Sequence, residues 1–147
     1  MGATFLLTWN PRVYAWRELR RDIARLRKSG ALETDWSVAR SRKPRAGDRV
    51  FLLRQGVEPR GIVGSGWLTS DWYEGPGWRR PGVPCNYVDV RFDVLLDAER
   101  EPILPRDALG HGKLAGMYWD TQASGTRIPD PVARELERIW RAVARRK

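Results

Sequence analysis

Residues 61–70 read Gly-Ile-Val-Gly-Ser-Gly-Trp-Leu-Thr-Ser, an apolar run interrupted by three glycines, and this run restricts the fold more than any other segment. Glycine disfavours a helix interior, so the run reads as a strand. Inside a strand, glycine marks a bulge, a barrel corner or the close approach of another backbone. Other strands surround it. Residues 49–55 form an apolar strand launched by the turn Ala46-Gly47-Asp48, and residues 87–96 are the longest clear strand. Residues 4–9 form a first strand that Asn10-Pro11 closes.

Two helices are expected beside these strands. Val13, Trp16, Leu19, Ile23 and Leu26 recur at three- and four-residue steps, predicting a helix over 12–28 that ends at Ser29-Gly30. On that reading Tyr14 and Trp16 belong to the core or the helix flank. A last helix opens with Asp130-Pro131 as N-cap and first turn, its apolar face formed by Val132, Leu136, Ile139, Trp140 and Val143. A short helix is expected near 105–109. Residues 33–48, 71–86 and 110–128 read as polar or irregular connections. With no repeat or long linker, the 147 residues form one α+β domain, a small β-barrel with helices packed outside.

Composition narrows the function. The net charge is +9, and only four of the 27 basic residues are lysine (Lys28, Lys43, Lys113, Lys147). Arginine codons are GC-rich, which accounts for part of this bias. The planar guanidinium also suits phosphate, so the surplus points to a polyanionic partner. There are eight tryptophans, whose flat faces suit base stacking. A single cysteine, Cys85, excludes an internal disulfide framework. No apolar stretch approaches the roughly 18 residues of a membrane span, Met1 to Trp9 lack the basic segment expected of a secretory signal, and a reduced, cytoplasmic setting is expected.

Catalysis finds little support. The lone His111 lies in Gly110-His111-Gly112-Lys113, a flexible context that reads as a loop or phosphate contact, and Cys85 has no activating neighbour in sequence. No carboxylate pair, metal-ligand spacing, or nucleotide-binding glycine motif is present. Neither metal nor cofactor is expected. Aromatic residues, by contrast, stand beside basic ones. Trp36-Ser37 precedes Arg40, Arg42, Lys43 and Arg45, and Trp72, Tyr73 and Trp78 share a loop with Arg79 and Arg80. That arrangement suits a stacking platform flanked by phosphate contacts.

The order of landmarks resembles the EVE domain, a PUA-like fold related to the YTH readers. The matching pieces are Trp9-Asn10-Pro11, Asp35-Trp36-Ser37-Val38, residues 46–53, residues 60–66 and Trp119-Asp120-Thr121-Gln122. The resemblance implies an α+β, PUA-like small β-barrel with flanking α-helices. It also implies a non-catalytic reader that flips 5-methylcytosine or 5-hydroxymethylcytosine out of double-stranded DNA into an aromatic pocket. Trp36 and Ser37 would supply one wall and a polar contact. Trp72, Tyr73 or Trp78 would supply the other wall, with Asp120 and Gln122 near the nucleic acid. The candidate base pocket is completed by Asn10, Trp67, Ser70 and Trp119. Arg40, Arg42, Lys43, Arg45, Arg79, Arg80 and Lys113 are the candidate phosphate contacts. Cleavage would fall to a fused or associated nuclease or GTPase motor of a restriction system, of McrB or HNH-nuclease type, and the chain would be the N-terminal module of a longer protein. Two alternatives stand beside this: a PUA-type RNA reader, and an ASCH-like amidohydrolase for which Lys113 is the internal candidate lysine.

Overall fold

A computed structural model describes residues 2–145. Its strands are β1 (Thr4–Trp9), β2 (Leu32–Ser37), β3 (Arg49–Arg54), β4 (Gly61–Leu68), β5 (Tyr73–Gly75), β6 (Cys85–Leu95), β7 (Leu104–Pro105) and β8 (Thr126–Ile128). The helices are α1 (Leu19–Ser29), α2 (Arg106–Leu109) and α3 (Asp130–Ala144), with a 3₁₀ turn at Gly112–Gly116. The strands form one mixed sheet in the order β2-β6-β4-β3-β1-β8, with β5 on β6 and β7 on β4. Among the described residues only β1 and β3 run parallel, Thr4 to Trp9 lying opposite Arg49 to Arg54. The backbone ladder is open at β2 and β8. The sheet nevertheless curls far enough for the Trp36 indole on β2 to donate to the Thr8 carbonyl on β1 at 3.1 Å. The barrel thus closes through a side chain rather than through a ladder.

The glycines of β4 act as their positions in a strand imply. A Cβ on Gly66 would stand 2.6 Å from the Arg91 carbonyl oxygen on β6. The β4–β6 register shifts between Ser65 and Gly66, so a bulge and a close approach coincide there. Gly61 has φ +151°, and a Cβ would lie 2.1 Å from the Leu104 carbonyl oxygen on β7. No residue with a side chain fits either place.

Alternation along the central strands divides the apolar residues between two cores. Phe5, Leu7, Val50, Leu52, Val88, Val90 and Phe92 join Ile23 and Leu26 of α1 on one face. Leu6, Phe51, Leu53 and Ile62 join Leu136 and Trp140 of α3 on the other. Trp140 is a core residue, as its helical spacing predicts, and its indole donates to Ser65 Oγ at 2.9 Å.

The short strands β5 and β8 fall in stretches read as irregular connections, and two larger differences shape the region around α1 and β2. The first helix starts at Leu19 rather than near Arg12. The Asn10 carbonyl accepts hydrogen bonds from the backbone of both Val13 and Tyr14, and the Trp9 indole donates to the Tyr14 carbonyl, so residues 10–18 turn back on themselves. The second difference is β2, which lies inside the stretch read as a polar connection. Its full length pairs with β6, from Leu32 opposite Phe92 to Ser37 opposite Tyr87. As an edge strand with one face toward solvent, it carries polar residues at alternate positions and shows no apolar run.

Candidate nucleic-acid interface

Three segments converge beside the first core. They are the turned-back loop after β1, the C-terminal half of β2, and the loop between β5 and β6. They enclose a cavity of about 920 Å³ whose lining includes Tyr14, Trp16, Trp36 and Trp78. Tyr14 meets Trp36 edge-on, with centroids 5.9 Å apart and planes at 89°, and meets Trp78 at 6.2 Å and 76°. Trp16 lies 5.4 Å from Trp36 at 46°. Rings set at such angles pack edge against face or tilted rather than stacked in parallel, and all four border the same space.

Each inner ring is held by its own polar atom. Trp36 is tied to Thr8, and the Trp16 indole donates to Asp22 Oδ2 at 2.8 Å. Trp9 packs edge-on behind Trp16 at 5.6 Å, and the Arg54 guanidinium lies 5.7 Å from the Trp9 ring. Tyr14 and Trp78, by contrast, are 44% and 47% exposed and form the outer part of the cage.

The electrostatics are asymmetric. Arg17, Arg40, Arg79 and Arg80 line the cavity, are exposed, and take part in no ion pair among the described residues. Asp22 and Asp35 also line it. Arg79 lies over the Trp78 ring at 5.7 Å. Tyr87, at the β6 side of the cavity, donates to the Pro76 carbonyl; burial, with the neighbouring Cys85, pushes its phenol up to about 12.

The structure gathers some candidate residues and separates others. Asn10, Trp36, Ser37, Trp78 and Gln122 line the cavity together with Arg40, Arg79 and Arg80. Ser37 Oγ accepts the Ala39 amide and lies 3.6 Å from Cys85 Sγ. Trp72 packs on the first core beneath Arg42, 5.5 Å away. Arg45 donates to the carbonyls of Arg42 and Pro44 and so braces its own loop, where Lys43 is exposed. Tyr73 and Ser70 face outward around Asp89: the Tyr73 hydroxyl donates to its carboxylate at 2.6 Å, and Ser70 Oγ accepts its amide. Burial and then Asp89 raise the Tyr73 phenol.

Ser70, Trp72, Tyr73, Arg42, Lys43 and Arg45 do not line the cavity, and four further candidates lie away from it. Trp119 is 2% exposed, sits in the second core and donates to the Leu114 carbonyl. Asp120 is held by Arg106 through two bonds of 2.8 and 3.0 Å, which hold its carboxyl below its usual value. Trp67 lies on β4 with the Arg49 guanidinium 4.7 Å from its ring. Lys113 belongs to the 3₁₀ turn under α3, following the exposed His111.

The sequence reading missed Tyr14, Trp16 and Arg17 as cavity residues, because a helical period from Val13 onward placed them on a helix. Asn10-Pro11 was the available signal, since proline and the residue before it resist helix and favour a turn. Among the described residues, no three of His, Cys, Asp and Glu gather as a metal-binding group, and no helix is long and apolar enough to cross a membrane.

No family model matches the chain, and no curated protein matches it. Solved structures do. A protein from Leishmania major superposes with a TM-score of 0.67 at 17% identity, over 97% of this chain and 96% of its own. The human THYN1 protein, in complex with 5-methylcytosine containing DNA, superposes at 0.63 and 13% identity, over 94% and 97%. The chain has the EVE-type, PUA-like fold. This EVE-type fold also aligns with the Mmi1 YTH domain at a TM-score of 0.50 and 13% identity, over 99% of this chain and 79% of that one.

Proposed function

We propose that this chain is a non-catalytic reader of modified cytosine in DNA, which takes a flipped-out base into the cage of Tyr14, Trp16, Trp36 and Trp78. The observation that carries the reading is the angled set of rings around one cavity, fringed by four arginines that form no ion pair among the described residues. About 920 Å³ accommodates a nucleotide rather than a lone methyl group. The ring faces can be used only by a base that has left its stack, because neighbours cover both faces inside a duplex. Unstacking costs a few kcal/mol, and stacking on an aromatic face returns roughly 1–3 kcal/mol per base. Phosphate contacts supply most of the rest. Arg40, Arg79 and Arg80, with Arg17, are the contacts nearest the cage, and Arg42 and Lys43 extend them along the next loop. The human relative's complex with 5-methylcytosine containing DNA supports the choice of ligand. Cleavage, in this reading, is the work of an associated nuclease or GTPase motor.

The test is an affinity panel at one salt concentration, using duplexes with cytosine, 5-methylcytosine, 5-hydroxymethylcytosine or N6-methyladenine and matched RNA strands. Modified cytosine should bind most tightly. A buried methyl adds only about 0.8 kcal/mol, so the expected preference from that contact alone is about fourfold. Placing the target opposite a mismatched base or an abasic site should tighten binding further, as less pairing is lost. Equal affinity across the panel and across all opposing bases would overturn the reading. Tighter binding to the RNA strands would move the chain to the RNA-reader class.

A further inference from the structure

Among the described residues, most of the positive charge outside ion pairs falls in two places, with Lys28 and Arg91 apart from both. One is the cavity side already described. The other is α3. On α1, Arg20, Arg21, Arg25 and Arg27 pair with Asp97, Glu18, Asp22 and Glu101, so that helix is largely neutralised. On α3 and its C-cap, the exposed Arg134, Arg138, Arg141 and Arg145 recur at i, i+4, i+7 and i+11. At about 100° per residue these positions fall within an arc of about 60° and span about 16 Å. The buried Val132, Ala133, Leu136 and Trp140 lie on the opposite side of the helix.

The acidic residues of α3 do not cancel this stripe. Glu137 pairs with Arg49, Asp130 with Arg127, and Glu135 with Arg138. Arg134, Arg141 and Arg145 have no carboxylate partner among the described residues, and the exposed Lys113 on the adjoining 3₁₀ turn adds charge beside them, within the field of Glu135. Basic residues in a last turn also complement the helix dipole. That accounts for Arg141 and Arg145 but not for Arg134, which sits near the start of the helix. The stripe does not suit a lipid surface, because the apolar face that would insert is already buried in the second core.

We propose that the outward face of α3 is a second nucleic-acid contact, taking the phosphate backbone of a duplex whatever its bases. A duplex presents one negative charge per ~1.7 Å of its axis, so a 16 Å stripe of arginine forks meets several phosphates at once. The two cores lie on opposite faces of the sheet, with the cage above one and α3 covering the other. One molecule therefore holds two duplex segments. This bridging rests on the cavity reading above; the phosphate contact on α3 does not.

The experiment uses unmodified duplexes carrying a donor or an acceptor dye, mixed with the protein at low salt, with energy transfer as the measure of bridging. The wild type should bridge. The triple variant R134Q/R141Q/R145Q should lose the transfer, and the slope of log affinity against log salt should fall by about 2–3, at roughly 0.9 per phosphate contact. Its preference for modified over unmodified cytosine should not change. R79Q/R80Q should also lose bridging yet still bind unmodified duplex through α3. The α3 contact is overturned if the triple variant keeps the wild-type salt slope or if R79Q/R80Q binds no unmodified duplex; a wild type without transfer whose slope the triple variant still lowers overturns the bridging alone. Should the triple variant melt early, Arg141→Glu alone carries the same test. A failed modification panel, with the salt slope still lowered in the triple variant, would sink the cavity reading and leave the α3 contact standing.

Discussion

The Trp36 indole N–H donates to the Thr8 carbonyl oxygen at 3.1 Å, joining edge strand β2 to β1 across a gap that no backbone ladder spans. The ring is therefore oriented before any ligand arrives. Trp36→Ala should lose about 1–3 kcal/mol of binding to a modified duplex, the range for one stacking partner. Trp36→Phe keeps a face but loses the tether, and should fall between the two. Titrations at fixed salt, with circular dichroism to confirm folding, measure both.

Trp78 offers a cleaner separation of binding from folding. It is 47% exposed, and its ring partners are Tyr14 and the Arg79 guanidinium. Trp78→Ala should change stability by no more than about 0.5 kcal/mol, as surface changes usually do, while weakening modified DNA by ~1–3 kcal/mol. A denaturant melt alongside the titration decides it.

Trp119 should behave in the opposite way. Truncating a buried tryptophan to alanine costs about 3–5 kcal/mol through the cavity it leaves, and the Leu114 carbonyl loses its donor as well. Trp119→Ala should lower the urea midpoint sharply. Whatever fraction stays folded should bind DNA with unchanged preference.

Asp120 ties its prediction to pH. Arg106 holds its carboxyl below the ordinary value through their hydrogen bonds. A depressed carboxyl stabilises the fold fully above its unfolded pKa of about 3.9, and the contribution disappears as pH falls through the lower folded value. Asp120→Asn should therefore melt below the wild type at pH 7, and the two melting curves should converge as acid is added toward pH 2. The pair is half-exposed, so the gap should be small. Modified-base preference should be unaffected.

Much of the architecture was legible because burial imposes a period. β1, β3 and β4 show it in runs that start where the strands start, and α3 shows it with Pro131 at its opening turn. The site was legible only in part. Trp36 and Ser37 announced themselves by standing beside a basic run, and Trp78 by its arginine neighbours. Trp119 and Asp120 share the aromatic and polar character of a site, yet a tertiary contact with Leu114 and an ion pair with Arg106 engage them elsewhere. Tyr14 and Trp16 failed the other way. Their spacing fits a helix, and only the hydrogen bonds to the Asn10 carbonyl reveal the turn that aims them at Trp36.

The open end of the sheet has a kinetic consequence. β2 carries one wall of the cage, and on the main path of the sheet it is bonded to β6 alone. A terminal strand with one ladder opens more readily than the strands inside, so its amides should exchange with solvent faster than those of β3 and β4. On the proposed reading, a base seated against Trp36 would then leave by that wall swinging away as well as past the exposed Tyr14 and Trp78. Residence time becomes a property of the strand's own opening equilibrium. Substitutions on the solvent face of β2, at Glu33 for example, should change the dissociation rate without touching the ligand.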